Sequence, residues 1–381
     1  MAQFGDDHGM GGYSYKPRWR RDGFGFGNPF PTWEPVLDFQ CEMVEMALRW
    51  KEQTLSTLSD LVVRALDDAY QARVWALIET WADANADDAE KATLREKIRV
   101  TALSRRAAQR AQQNAWVAAL GEKARAAYAA LEPQDLLNKH AWLFRDIWVE
   151  ESADEIEEID DFDFQNRDER IHKLRVAAMH EIRDARGLAG LLELAERGKA
   201  SSQIGVLAAH DLLSEQELQE LLRLALRSVL EDGKGAYSHK NIIGGAVRAI
   251  SEDDKRERIL KAVAADLAEE DTARLLMLAS FARNTWVLVD ELSEAAQARY
   301  WRDVVPDWIR YSDEETNEAV ERLLKAGRPR AAFSCVRLHP GKVDAQVLFR
   351  VLSEINASPT CRSVSSINRA ASFRESFGKA L

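Results

Sequence analysis

The chain contains little cysteine, with only Cys41, Cys335 and Cys361 among 381 residues, far apart and in no paired spacing. This odd, scattered set argues against a disulfide scaffold or a zinc module and favours a reducing compartment. No apolar run approaches the roughly 18 residues needed to cross a bilayer, and the N-terminus lacks the pattern of a secretion signal. We therefore expect a cytoplasmic protein that does not enter a membrane.

Nucleotide-binding and catalytic motifs are also missing. The stretch "GKGAYSHK" at 233–240 lacks the phosphate-loop spacing, and "GFGFGN" at 23–28 neither follows a predicted strand nor begins a helix. No nucleophile-elbow sequence supports a Ser-His-Asp triad. The sequence therefore predicts no cofactor and favours a non-catalytic function.

Composition favours a folded, all-helical protein. An apolar fraction of 46% and a charged fraction of 30%, with runs rich in Ala, Leu, Glu and Arg, are typical of helical globular chains. The net charge of -11 argues against a protein built mainly to neutralise phosphates, although local basic patches remain open. We expect the eleven tryptophans to anchor packed helices rather than to line a ligand cage.

The pattern changes along the chain suggest five segments. The acidic segment at 150–163 contains nine acids and no base, so we expect a solvated linker that divides two helical regions. Glycine, aromatic and arginine residues at the N-terminus predict an irregular arm, whereas serine at the C-terminus predicts a disordered tail. The predicted order is arm 1–32, helical bundle 33–149, acidic linker 150–163, α-solenoid-like array 164–355 and tail 356–381.

Helix-start signals recur in the second half of the chain. Ser214 and Ser312 begin capping-box sequences, and Ser251 and Ser293 begin looser versions of the same signal. The starts at Ser214, Ser251 and Ser293 are 37 and 42 residues apart, in the range of two-helix repeats. Pro306 is expected to kink or end the helix that follows Ser293.

The stretch "LLKAGRPRAAF" at 323–333 predicts a joint between two helices of such an array. Gly327 permits a left-handed helix end, and Pro329 can begin the next helix. Residues 204–355, about two fifths of the chain, resemble the degenerate helical-hairpin arrays of the HEAT and tetratricopeptide type, which occur in large bacterial signalling and defence proteins. The full tetratricopeptide signature is absent. The resemblance implies a binding function.

A basic run suggests an alternative, nucleic-acid-binding function. Residues 95–125 have a net charge of +6, and we expect them to form one long helix that could follow a phosphate backbone, or else a solvated helix face. The N-terminal arm interleaves aromatic residues with arginine, a composition that can stack on single-stranded bases or remain an unstructured extension. The candidate residues are Arg95, Arg99, Arg105, Arg106, Arg110, Trp19, Arg20 and Arg21.

One helix contains a weak candidate metal site. His180 and Asp184 have the i, i+4 spacing that places two ligands on one helix face, and His172 lies eight residues upstream. The zincin pattern requires histidine where Asp184 stands, so surface histidines are the favoured interpretation and no metal is predicted.

Together these features predict a non-catalytic protein-binding or scaffolding module. The alternative is a nucleic-acid-associated regulator or defence component that uses the basic run and the arm. No polar-faced capping helix follows the array, so we expect either a truncated chain, as in a fragment of a larger assembly, or a disordered tail.

Overall fold

The computed structural model describes residues 68–84, 87–149, 164–233, 235–306 and 312–357. These residues contain sixteen α-helices and no strand, so the fold is all-α, as predicted. The arm, the acidic linker and almost all of the tail lie outside the described residues. None of the described helices is long and apolar enough to span a lipid bilayer.

The chain forms two compact units. The described residues of the first are 68–84, 87–139 and 164–167, and those of the second are 140–149, 168–233, 235–306 and 312–357. The first unit contains α1 Asp68–Ala84, α2 Asp88–Thr101, α3 Arg105–Gln113 and α4 Ala115–Ala130, followed by the short α5 Leu136–His140. The second contains most of α6 Phe164–Ala195, which is interrupted at Gly187, and then α7 Ser201–Leu207, α8 Glu215–Leu230, α9 Ala236–Ala249, α10 Asp253–Ala264, α11 Glu269–Leu276, α12 Arg283–Asp290, α13 Glu294–Asp303, α14 Asp313–Lys325, α15 Pro329–Val336 and α16 Ala345–Ala357.

The core of the first unit forms where α1, α2 and α4 turn their apolar residues inward. Trp75 and Trp81 are buried there together with Ile78 of the same helix and Leu94 and Ile98 of α2. The three-and-four spacing of these residues explains why one face of each helix is buried. The two tryptophans are packing anchors, as predicted.

An aromatic cluster fills the core of the second unit at α12 and α13. Trp286 contacts Phe281 edge-on, with ring centres 5.0 Å apart, and lies 5.9 Å from Trp301. Trp286 and Tyr300 are fully buried, and burial raises the pKa of the Tyr300 hydroxyl above its usual range. The cluster therefore stabilises the packing of these helices instead of forming an open ligand cage.

Local helix signals are largely confirmed. Ser214 and Ser312 each begin a helix with a complete capping box. The helix after Ser293 ends at Asp303, before Pro306, as expected from the proline. The start at Ser251 is wrong by one residue, because Glu252 is the residue that precedes α10.

The predicted single basic helix at 95–125 is wrong. The structure divides the region into α2, α3 and α4, with breaks at Ser104 and Asn114. Ser104 caps α3 by accepting a hydrogen bond from the Ala107 N–H at 3.3 Å. A serine side chain that bonds the backbone in this way competes with a continuous helix, so the helix ends and restarts.

The predicted repeat intervals also need correction. The 42-residue interval from Ser251 to Ser293 contains three helices, α10, α11 and α12. It is therefore not the length of one two-helix repeat. Every second helix from α8 onward begins at Glu215, Asp253, Arg283, Asp313 and Ala345, at intervals of 38, 30, 30 and 32 residues. Helix α8 contacts α9, and each helix from α10 to α15 contacts the one that follows it.

The helices α7 and α9 cross unusually closely. A Cβ atom at Gly205 of α7 would lie 2.1 Å from the Ile242 carbonyl oxygen of α9, and one at Gly245 would lie 2.2 Å from the Ser202 carbonyl oxygen of α7. Because backbone blocks both positions, neither glycine can be replaced without moving the helices apart.

Candidate protein-binding surface

Side-chain bonds connect every second helix from α8 to α16. Arg258 of α10 pairs with Glu215 of α8, and Lys261 of α10 pairs with Glu291 at the end of α12 at 3.1 Å. Farther along, Arg350 of α16 pairs with Glu321 of α14. Each exposed pair contributes little alone. Their shared pattern nevertheless places alternate helices side by side.

Arg322 of α14 forms several such bonds at once. It donates two hydrogen bonds to the Asp290 carboxylate at 2.6 and 2.8 Å, and another to Glu318 at 2.7 Å. Its guanidinium also lies 5.3 Å from the centre of the Trp301 ring. The hydrogen bonds to Asp290 are the main reason that the pKa of Arg322 is raised. Arg322 thus ties α14 to both α12 and α13.

The predicted joint at 327–329 is confirmed. Gly327 has a left-handed φ of 72°, and Pro329 is the first residue of α15. Between them, Arg328 donates hydrogen bonds to the carbonyl oxygens of Trp301 and Val304, at 3.0 and 2.6 Å. The joint therefore closes the exposed end of α13 as well as turning the chain, because these carbonyls have no partner within their own helix.

An open groove of about 500 Å³ lies between α14 and α16. Its floor contains the buried Leu324, and its sides are charged. Lys325 is exposed there and makes no ion pair among the described residues. The lining residues are Glu321, Arg322, Leu324, Lys325, Arg350 and Glu354.

Large apolar side chains are exposed at residues near those of the groove in sequence. On α16, Phe349 is 72% exposed and Leu352 is 41% exposed, whereas Val351 is buried. Leu338, after α15, is 51% exposed. Phe349 and Leu352 are three residues apart and so lie next to each other on α16, and adjacent exposed apolar side chains are typical of a binding surface.

The nucleic-acid candidates that the structure describes have different surroundings. Arg95 packs on α4, where its Nε donates to the Tyr128 carbonyl oxygen at 3.1 Å and its guanidinium lies 4.0 Å from the Tyr128 ring centre. Arg99 is buried and forms a 2.7 Å ion pair with Glu96. Arg106 and Arg110, one turn apart on α3, are exposed. The Arg105 side chain and all of Trp19, Arg20 and Arg21 lie outside the described residues.

The candidate metal ligands have other partners or stand apart. His172 lies 3.4 Å from Asp211, and Asp184 pairs with Arg183 at 2.9 Å. His180 is half-buried on α6. In the part of the chain that the structure describes, no group of three or more His, Cys, Asp or Glu side chains could hold a metal ion.

The sequence did not indicate a buried polar cluster around His239. His239 of α9 is 4% exposed, with Nδ1 2.9 Å from Ser228 Oγ and Nε2 3.7 Å from a Glu196 carboxylate oxygen. The longer distance exceeds a hydrogen bond, so the carboxylate does not orient the ring as a catalytic triad requires. The cluster links the end of α6 to α8 and α9. No local motif signals it, since Glu196 and His239 are 43 residues apart.

Comparison with known proteins assigns no family. No protein-family model matches the chain, and no curated protein matches it. The resemblance to HEAT and tetratricopeptide arrays therefore stays a prediction, and function has to be inferred from the chain's own surface.

Proposed function

We propose that this chain is a non-catalytic protein-binding or scaffolding module of the cytoplasm, in which α7–α16 act as an α-solenoid-like, HEAT-like array within a larger assembly. The observation that carries this proposal is the exposure of Phe349 and Leu352 on α16. Apolar side chains lose contact with water when a partner covers them, and this loss favours association.

The side-chain bonds between alternate helices support the same function. Asp290 and Arg322 connect α12 to α14, and Glu321 and Arg350 connect α14 to α16. A surface whose helices are fixed to each other loses less conformational freedom on binding, so more of the contact free energy is available for affinity.

Affinity capture with the tagged full chain tests this proposal. Lysate of the source cells is treated with nuclease in moderate salt, and retained proteins are identified by mass spectrometry. A scaffold retains a protein partner after nuclease treatment. Recovery that depends on nucleic acid contradicts the proposal.

One observation favours a nucleic-acid-associated regulator as a second candidate. Arg106 and Arg110 are exposed one turn apart on α3, which suits contact with neighbouring phosphates. In that case, changing both to Glu abolishes salt-sensitive binding of labelled RNA or DNA. The matched control changes Lys240 and Arg248, which are exposed on α9, to Glu.

A further inference from the structure

The loop that follows α5 is held by a continuous set of hydrogen bonds. The carbonyl oxygens of five consecutive residues, 143–147, all accept hydrogen bonds from other parts of the second unit. The Arg175 guanidinium on α6 donates to the carbonyls of residues 143, 146 and 147, at 2.9, 3.2 and 3.0 Å. The backbone N–H groups of Lys199 and Ala200 donate to those of residues 145 and 144, at 2.9 and 3.1 Å. Because Arg175 is only 7% exposed, its bonds are shielded from water.

Packing fixes both ends of this loop. Leu143 and Phe144 before it and Val149 after it are each at most 3% exposed. A Cβ atom at Gly198 would lie 2.1 Å from the Phe144 carbonyl oxygen, so a glycine is needed there for the chain to approach closely enough to form the two backbone bonds. The loop at 145–148 is therefore held in one conformation.

The fixed loop exposes two large apolar side chains. Ile147 is 66% exposed and Trp148 is 50% exposed. Their Cα atoms are neighbours in the chain, about 3.8 Å apart, so a partner that covers one of them also reaches the other. An apolar pair that is already fixed loses little conformational freedom on binding, and tryptophan is among the residues that most often dominate binding free energy. The loop therefore has the properties of a docking element.

The sequence that includes and follows the loop is strongly acidic. From 145 to 163 the chain has ten acids and one base, a net charge of -9. Two peptide units of about 3.8 Å each keep the Cα of Glu150, the first of the acids after the loop, within about 8 Å of the Trp148 Cα. This distance is close to the Debye length of about 8 Å at physiological salt, so the acids act on a partner bound at the loop. Lys199, which lies 3.8 Å from Asp146, offsets only one of them.

We propose that the loop at 145–148 is a docking loop that binds a basic amphipathic helix of a partner protein. Ile147 and Trp148 pack against the apolar face of that helix, and its Lys or Arg side chains complement the acids that follow the loop in the chain. The loop makes the contact, and the acids set the charge of the partner. This interaction goes beyond the proposed function, because it uses neither Phe349 nor Leu352 and specifies the chemistry of a second partner.

The same charge distinguishes this partner from other occupants. A net charge of -9 repels nucleic acid and anionic lipid. A second copy of the chain would bring its own acids next to those of the first, and like charges at an interface cost free energy. A basic amphipathic helix gains from the apolar pair and from the acids at the same time.

Fluorescence anisotropy with the full chain tests the inference. The labelled peptide has about 16 residues, enough for about four helical turns, with Leu on one face and Lys on the other. Two comparison peptides replace Lys with Glu or Leu with Ser. We expect either replacement to weaken binding about tenfold or more, because each removes one of the two complementary components.

Paired variants locate the contact. Ile147→Ser with Trp148→Ser removes the exposed apolar pair and leaves every acid in place, and we expect it to weaken binding at least about tenfold. Tyr237→Ser with Val287→Ser removes two other large apolar side chains, 78% and 55% exposed, and is expected to leave binding unchanged. Circular dichroism confirms that each variant remains folded.

Several outcomes overturn the inference. The first is that the Lys-containing peptide does not bind. The second is equal binding by the Ile147, Trp148 variant and the control variant, since the acids alone then hold the peptide. The third is loss of peptide binding in Phe349→Ser with Leu352→Ser instead, which assigns the peptide to α16. The last is that the Ile147, Trp148 variant abolishes self-association, measured by sedimentation, or binding to an RNA oligonucleotide or to phosphatidylserine vesicles, because another occupant then uses the loop.

Discussion

Arg322 and Asp290 form a two-point ion pair that joins α14 to α12, with hydrogen bonds of 2.6 and 2.8 Å. Because Arg322 also lies over Trp301, its loss removes bonds to two helices at once. We expect Arg322→Gln to lower the free energy of unfolding by about 2 kcal/mol. Urea denaturation measures the change.

A matched control separates this effect from the loss of any surface arginine. Arg302 pairs with its neighbour Asp303 on the same helix, and its side chain is mostly exposed. Arg302→Gln should therefore change stability little. A double-mutant cycle with Asp290→Asn should show coupling with Arg322, and additive effects would contradict the assigned pair.

The capping box at α14 should contribute measurably to stability. Ser312 Oγ accepts a hydrogen bond from the Glu315 N–H at 3.2 Å. Ser293 begins α13 without a side-chain cap. We expect Ser312→Ala to cost about 1 kcal/mol of unfolding free energy, and Ser293→Ala clearly less. Thermal unfolding compares the two variants, and equal losses would show that the box contributes nothing.

Gly327 should resist substitution because of its backbone conformation alone. A Cβ at this residue has no atom within 4 Å, but its φ of 72° is left-handed. Gly341 has equally open space without a left-handed φ. We expect Gly327→Ala to lower the unfolding free energy by about 1 kcal/mol more than Gly341→Ala. Chemical denaturation of both variants measures this difference.

Cys335 should be a slow nucleophile. Burial raises the pKa of its thiol to about 12, whereas an unfolded cysteine has a pKa of about 8.5. At pH 8 we expect its alkylation in a Cys41→Ser, Cys361→Ser variant to be at least about 100-fold slower than after denaturation, because the thiolate is the reactive form. Mass spectrometry of iodoacetamide-treated protein follows the reaction, and comparable rates would contradict the assigned burial.

The same shift makes a prediction about pH and stability. The folded state holds the thiol proton more tightly than the unfolded chain does, so this contribution is fully present below about pH 8.5 and is lost as pH rises towards 12. Cys335→Ala should therefore weaken the decline of stability in that range. Denaturation between pH 8 and pH 10 measures the difference, and parallel declines would contradict it.

Short-range features of the fold could be predicted from sequence because their causes are local. Ser214, Ser312, Gly327 and Pro329 act through backbone groups a few residues away, and all four have the predicted roles. Pro306 belongs to the same class, since a helix rarely continues into a proline.

Features that depend on tertiary contacts could not be predicted. Arg99 resembles its exposed neighbours in sequence, yet it is buried with Glu96. The charge of residues 95–125 therefore overstated the exposed basic surface. Phe349 follows an ordinary amphipathic pattern, and only its 72% exposure in the structure identifies it as part of a candidate site.

The most direct test of the scaffold function compares affinity capture by the full chain and by its Phe349→Ser, Leu352→Ser variant. Both are incubated with nuclease-treated lysate of the source cells, and retained proteins are quantified by mass spectrometry. We predict a protein partner that the unchanged chain retains and the variant loses. Equal recovery of every protein by both chains, or recovery that disappears with nuclease, would contradict binding through this surface.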